Sequence, residues 1–206
     1  TEPGLHSAVV DRFGTTYALT STTLKHMPRT SVVGPNGVKA GDLPSLAAEP
    51  DFVPDVTVLK VGKGDDGYYC SVVQAMRNWL VPQWLADQGF VVVAIENRGT
   101  PNRTREWERA VYQKFGTVPI EDQAKGLELL CDKFPELDRD RVGIVGWSFG
   151  GYMAANGVLR KPDVFKAAVA GAPVTDWEDY DTHYTERYMG VLPESKAAYD
   201  SASLLP

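Results

Sequence analysis

The spacing of apolar residues changes rhythm near residue 75. Before that point short β-type runs dominate. Val56 to Val61 sets valines among Thr57, Leu59 and Lys60, Tyr68 to Val73 adds aromatic and β-branched residues, and Thr15 to Thr22 is rich in Thr and Tyr. Each predicts a strand. Gly62-Lys63-Gly64-Asp65-Asp66-Gly67 is turn chemistry, so the last two runs are expected to pair as a hairpin. Residues 34–54 carry four prolines and three glycines with little periodicity and read as a surface loop.

After residue 75, strand-like and helix-like segments alternate. Asn78 to Gln88 suits a short helix stopped by Gly89. Phe90 to Ile95 and Val142 to Gly146 read as strands buried on both faces, and Phe165 to Ala172 contains a third. Between them Ile120, Ala124, Leu127, Cys131 and Phe134 recur at helical spacing, with Glu121 and Asp122 in the first turn, where negative charge suits the helix dipole. The alternation predicts an α/β fold with a doubly wound, mostly parallel sheet.

Composition narrows the function classes. The 206 residues are 43% hydrophobic and 23% charged, as in an ordinary globular protein, and the net charge of −6 argues against a nucleic-acid partner. The longest unbroken apolar run, Phe90 to Ile95, is far too short for a membrane-spanning helix. The chain opens at Thr1 with no basic-then-apolar leader, so a secretory signal is read as absent or already outside the sequence, and the compartment stays open. Cys70 and Cys131 do not make a disulfide framework; two free, buried thiols are expected.

The chemistry centres on Gly146-Trp147-Ser148-Phe149-Gly150, a Gly-x-Ser-x-Gly segment. The pattern requires a sharp turn between strand and helix that presents the serine in a strained, exposed position, with small residues two before and two after. Arg141 to Val145 supplies the strand and Tyr152 to Leu159 the helix. A phosphate loop does not fit, because the Lys-Ser/Thr pair and the dinucleotide glycine spacing are both lacking. Ser148 is therefore the candidate nucleophile of an α/β-hydrolase fold, and the backbone N–H of Phe149 the candidate oxyanion donor. One such donor is typically worth ~3 kcal/mol of transition-state stabilisation.

Further motifs follow in order: Glu96-Asn97-Arg98-Gly99, Phe115-Gly116-Thr117, Glu121-Asp122-Gln123, the segment from Gly146 to Tyr152, and Ala172 to Trp177 through Tyr180-Asp181 to Tyr184-Thr185-Glu186-Arg187-Tyr188-Met189-Gly190. Together they resemble the prolyl oligopeptidase family of serine peptidases, most closely its dipeptidyl-peptidase IV branch. The likeness is dense from Asn78 to Gly190 and looser over Ser7 to Val73. It implies that residues 1–74 are the closing strands of a β-propeller and the start of the hydrolase domain. Residues 75–206 then form a catalytic domain that lacks its C-terminal part. The activity implied is release of N-terminal dipeptides with Pro or Ala at the second position, through an acyl-enzyme on Ser148.

The resemblance also implies that Val174, Trp177, Tyr180 and Tyr184 line the slot for the proline ring, with the Phe149 side chain as another wall. Aromatic walls suit a flat apolar ring, whose burial contributes roughly 1.5–3 kcal/mol. The spacing alone leaves a second reading, in which Trp177, Tyr180 and Tyr184 form the core face of one helix. Asp181 reads either as a tether for a pocket tyrosine or as a solvated helix charge. Arg98, Glu106 and Glu108 read as a solvated loop with local ion pairs. His183 is placed at the surface or the pocket edge, because the triad order in this fold is Ser, acid, His.

With that order, the resemblance puts the acid and base beyond Pro206. The resemblance also expects a further strand and a Tyr-Gly-Gly-like second oxyanion donor where Val73-Gln74 runs into Ala75-Met76-Arg77-Asn78. The propeller glutamates that hold the substrate amine are absent as well. The sequence is accordingly read as a portion of a longer protein. The expected partner is a peptide with a free N-terminus, with a homodimer suggested by the resemblance and no metal or organic cofactor implied. Two alternatives stay open: an acylaminoacyl-peptidase or esterase of the same fold, and a catalytically silent propeller-containing interaction protein.

Overall fold

The computed structural model describes residues 5–23, 26–45, 56–64, 67–73, 80–101 and 103–206. They divide into two compact units, one of residues 1–58 with 71–93 and the other of residues 59–70 with 94–206. The expected boundary at residues 74–75 lies outside the described residues, as does the Gln74 to Asn78 junction.

The first unit is built on an antiparallel sheet of β1 (Leu5–Val10), β2 (Tyr17–Thr23), β3 (His26–Val33) and β4 (Lys39–Asp42), paired in chain order. The β1–β2 turn is closed by Asp11, whose Oδ1 accepts from the Thr15 and Phe13 N–H groups. Strand β4 corrects the first part of the loop expected over residues 34–54, of which residues 46–54 lie outside the described residues. The turn at Gly34 to Val38, closed by the Gly34 N–H on the Val38 carbonyl, returns the chain to β3. All four β4 residues are exposed, so no apolar alternation marked this strand in the sequence.

Strands β5 (Val56–Val61) and β6 (Tyr68–Val73) have the predicted bounds and are neighbours in a second sheet, ordered β5-β6-β7, with β7 at Val92–Ile95. Helix α1 (Leu80–Asp87) stops at Gly89, whose φ of 89° is left-handed. Strand β7 is shorter and more open than its apolar run suggested. Phe90 and Val91 are exposed and precede it, and among the described residues β7 stands at the edge of its sheet.

In the second unit a short helix α2 (Arg105–Arg109) leads to the long helix α3 (Val118–Lys133). The parallel pair β8 (Gly143–Trp147) and β9 (Ala167–Gly171) is joined by helix α4 (Phe149–Arg160), in register from Gly143 on Ala167 to Trp147 on Gly171. A 3-10 turn (Trp177–Asp179), α5 (Thr182–Met189) and α6 (Lys196–Ala202) follow. Phe115, Ile120, Tyr152, Phe165, Trp177 and Met189 form the centre of the core. Strand β8 was expected to be buried on both faces. Its Val145 and Trp147, with Val169 of β9, are instead more than half exposed, because α4 covers the other face and no described element lies over this one.

Cys70 and Cys131 are free and buried, and burial pushes the Cys70 thiol up to about 11. The acidic pair at the start of α3 splits. Glu121 is exposed, but Asp122 is buried and takes Arg98 on both oxygens, through Nε at 2.9 and 3.1 Å and Nη2 at 2.7 Å. The Arg98 backbone N–H (2.8 Å) and the Tyr68 hydroxyl (3.1 Å) complete its shell. Arg98 keeps 40% of its side chain exposed, as a solvated loop implies, but its ion pair is not local: it reaches Asp122, 24 residues on, and four donor groups converge on that buried carboxylate. Asp122 is the buried member, so it is loss of the arginine that strands a charge. Arg98→Ala is expected to lower unfolding stability by about 3–5 kcal/mol, read as the shift of a denaturant midpoint, and Asp122→Ala by less. Glu106 and Glu108 are exposed in the first turn of α2, as expected.

Candidate active site

Ser148 stands at the bend between β8 and α4. Its φ of 57° and ψ of −118° lie in a region that side chains strongly avoid. Two hydrogen bonds hold it there: its N–H donates to the Gly171 carbonyl at 2.9 Å, and its own carbonyl accepts from Tyr152 N–H at 2.9 Å. The side chain is exposed and caps nothing in α4.

The glycines around it do unequal steric work. A Cβ on Gly146 would lie 2.3 Å from the backbone C and O of Gly150, so the residue two before the serine must be glycine. A Cβ on Gly150 would meet nothing within 4 Å. The tight position after the serine is Gly151, where a Cβ would sit 2.3 Å from the Gly171 carbonyl oxygen. Phe149 opens α4, where a helix leaves its leading N–H groups without intrahelical partners and carries its positive end.

Ser148, Phe149, Val174, Trp177, Tyr180 and Tyr184 together line one cavity of about 60 Å³. That is about the liquid-volume share of two waters, the scale of a small side chain. Trp177, Tyr180 and Tyr184 do not share one helix, so the single-helix reading is corrected. Trp177 is buried in the 3-10 turn, Tyr180 follows it in extended backbone, and Tyr184 is in α5. Trp177 and Tyr184 stack with rings 18° apart in plane, and Tyr180 meets Tyr184 edge-on at 5.4 Å.

Of the two readings of Asp181, the exposed helix charge is the one found. It is the N-cap of α5, its Oδ1 accepting from the Tyr184 backbone N–H at 2.8 Å. Asp176 caps the 3-10 turn and accepts from the Ser203 hydroxyl at 3.2 Å. His183 is exposed on α5, and no histidine other than it follows Ser148. Among the described residues no cluster of His, Cys, Asp and Glu is arranged to hold a metal.

Other contributors had no sequence-level assignment. Tyr152 is fully buried, its hydroxyl donating to the Ala202 carbonyl at 2.8 Å, and burial pushes its phenol up to about 12. Phe115 and Tyr188 continue the aromatic cluster behind the cavity. Gln113 (φ 58°) and Ala172 (φ 43°) are non-glycine residues in left-handed backbone. Nothing in their residue types announces that.

The comparisons with known proteins agree on one group. A family model described as "Prolyl oligopeptidase family" matches residues 76–205. Human dipeptidyl peptidase 8 is 47% identical over 115 residues, covering 56% of this chain and 13% of that protein. Venom dipeptidyl peptidase 4 of Vespa velutina is 40% identical over 107 residues, covering 51% of this chain and 14% of the relative. A crystal structure from Bacteroides ovatus, assigned by its name to dipeptidyl aminopeptidase IV, superposes with a TM-score of 0.81 at 25% identity, covering 98% of this chain and 33% of that one. The chain thus spans about an eighth of the curated relatives it matches and a third of the solved structure. With its strand–turn–helix serine segment and the match over residues 76–205, this chain belongs to the prolyl oligopeptidase family, close to its dipeptidyl-peptidase IV branch.

Proposed function

We propose that the complete protein is a serine dipeptidyl peptidase that releases N-terminal dipeptides with Pro or Ala at the second position. The carrying observation is that a strained, exposed Ser148 opens directly onto a small aromatic cavity. The Ser148 hydroxyl oxygen attacks the carbonyl carbon of the second residue, and its proton passes to a histidine of the complete protein. The oxyanion accepts from the Phe149 N–H at the positive end of α4. Collapse of the tetrahedral adduct breaks the C–N bond, the protonated amine leaves, and a dipeptidyl ester on Ser148 remains for water to hydrolyse. The side chain of the second residue sits between Trp177, Tyr180 and Tyr184, with Phe149 and Val174 closing the ends. Residues 5–42, a four-stranded antiparallel meander, fit one blade of a β-propeller preceding an α/β-hydrolase domain.

The test uses the complete protein and three substrate types: Xaa-Pro anilides with a free amine, N-acylated amino acid anilides, and simple esters. Preference for the free-amine Xaa-Pro series is expected, with a fluorophosphonate label found on Ser148. Cleavage confined to acylated or ester substrates would sink the dipeptidyl reading, and a label on another serine would sink the site. Tyr184→Ala removes an aromatic wall that is 37% exposed, so folding should be spared. Its kcat/KM for Xaa-Pro is expected to fall about 10- to 100-fold, equivalent to losing roughly 1.5–3 kcal/mol of ring burial.

A further inference from the structure

Phe115 is not among the residues lining the cavity, yet it supports half of its walls. The ring is almost wholly buried, 5.0 Å from Phe149 and 4.8 Å from Trp177, both edge-on. It also lies 5.3 Å from Tyr188, which in turn lies 5.3 Å from Tyr184. Phe149, Trp177 and, through Tyr188, Tyr184 therefore rest on one side chain.

The loop carrying that ring is itself pinned. Gln113, in its left-handed conformation, donates its N–H to the Tyr188 carbonyl at 2.7 Å and its Nε2 to the Ser195 hydroxyl at 3.0 Å. The Gly116 carbonyl accepts from the buried Asn156 Nδ2 at 3.0 Å. Gly116 approaches the end of α6 so closely that a Cβ there would lie 2.8 Å from the Ser201 carbonyl oxygen. A ring held on both flanks cannot retreat when a larger group enters the cavity, because a core packed at crystal density does not yield continuously.

We propose that Phe115 is a positioning residue that fixes the width of the cavity beside Ser148, and so the size of the side chain admitted there. The proposal rests on the acyl-enzyme reading of Ser148. A shorter side chain at 115 lets Trp177 and Phe149 settle back, and the slot admits branched or longer groups. One methylene in an apolar pocket is worth ~10- to 200-fold in discrimination, which sets the scale.

In the complete protein, Phe115→Leu is expected to raise the kcat/KM ratio of Xaa-Leu over Xaa-Pro anilides about tenfold, chiefly by lowering KM for Xaa-Leu. Phe115→Met, closer in volume, should give a smaller shift in the same direction and serves in its place if Phe115→Leu does not fold. An unchanged ratio, with both substrates losing equally or only the unfolding midpoint moving, overturns the proposal. A second readout separates this from the parent reading: the Ser148 labelling rate by a benzyl-bearing phosphonate relative to a compact alkyl fluorophosphonate. If the wild type is labelled but cleaves no Xaa-Pro, the peptidase reading fails, and the brace stands or falls on a tenfold rise in that labelling ratio. A wild type neither cleaving nor labelled overturns both.

Discussion

Ser148→Ala is expected to reduce kcat/KM by about 10⁴- to 10⁶-fold while leaving unfolding stability within about 0.5 kcal/mol of the wild type. The exposed hydroxyl contributes no cap hydrogen bond to α4, so its removal takes nothing from that helix. Ser148→Gly should be equally inactive but more stable than Ser148→Ala by about 1 kcal/mol, because glycine occupies φ near 57° without the penalty a Cβ incurs. The pair therefore reads two properties at one position, nucleophile chemistry from the activity and backbone strain from the stability difference. Strain retained at a functional site is offset elsewhere, here by the 2.9 Å bond from the Ser148 N–H to Gly171 and the packing of α4 on β8 and β9. A glycine variant no more stable than the alanine one would show that the bend is relaxed, and the strained-elbow account would fail.

The parts of this fold that were legible in the sequence are those where local pattern and tertiary environment agree. The turn-rich segment 62–67 between two β-branched runs predicted β5 and β6 to the residue, and the i, i+4, i+7 spacing of Ile120, Ala124 and Leu127 predicted α3. Strand β4 was invisible because Lys39-Ala40-Gly41-Asp42 is exposed throughout, and its pairing comes from the turn before it and the partner strand. The partners of Asp122 were invisible for a complementary reason. At a helix start a carboxylate normally faces water, and nothing local reveals that Arg98 and Tyr68, 24 and 54 residues away, converge on it. At the candidate site the serine motif marks the bend, and the Trp177-to-Tyr184 segment supplies the residues now found around one cavity. The second layer was not legible, since Phe115 and Tyr152 look like any core aromatics until their distances to Trp177 are known.

The steric inequality of the glycines leads to the remaining large effect. The Gly-x-Ser-x-Gly pattern draws attention to Gly150, but an added methyl there meets nothing within 4 Å. Gly150→Ala is therefore expected to hold activity within a few-fold and to gain up to about 1 kcal/mol of stability from better helix propensity. Gly151→Ala should behave oppositely. Its Cβ would be driven to 2.3 Å from the Gly171 carbonyl oxygen, the very atom that receives the Ser148 N–H. Relief requires α4 to lift away from the end of β9, which breaks that bond and moves the serine and the Phe149 N–H together. A loss of about 2–4 kcal/mol in stability and at least ~100-fold in kcat is expected, since misplacement by about 1 Å costs that much in orientation. Urea midpoints and single-turnover acylation rates of the two variants settle the order. Equal losses, or a worse Gly150→Ala, would mean that the close approach of helix to strand lies elsewhere than at Gly151, and that the bend at Ser148 is held by something other than the Gly171 carbonyl.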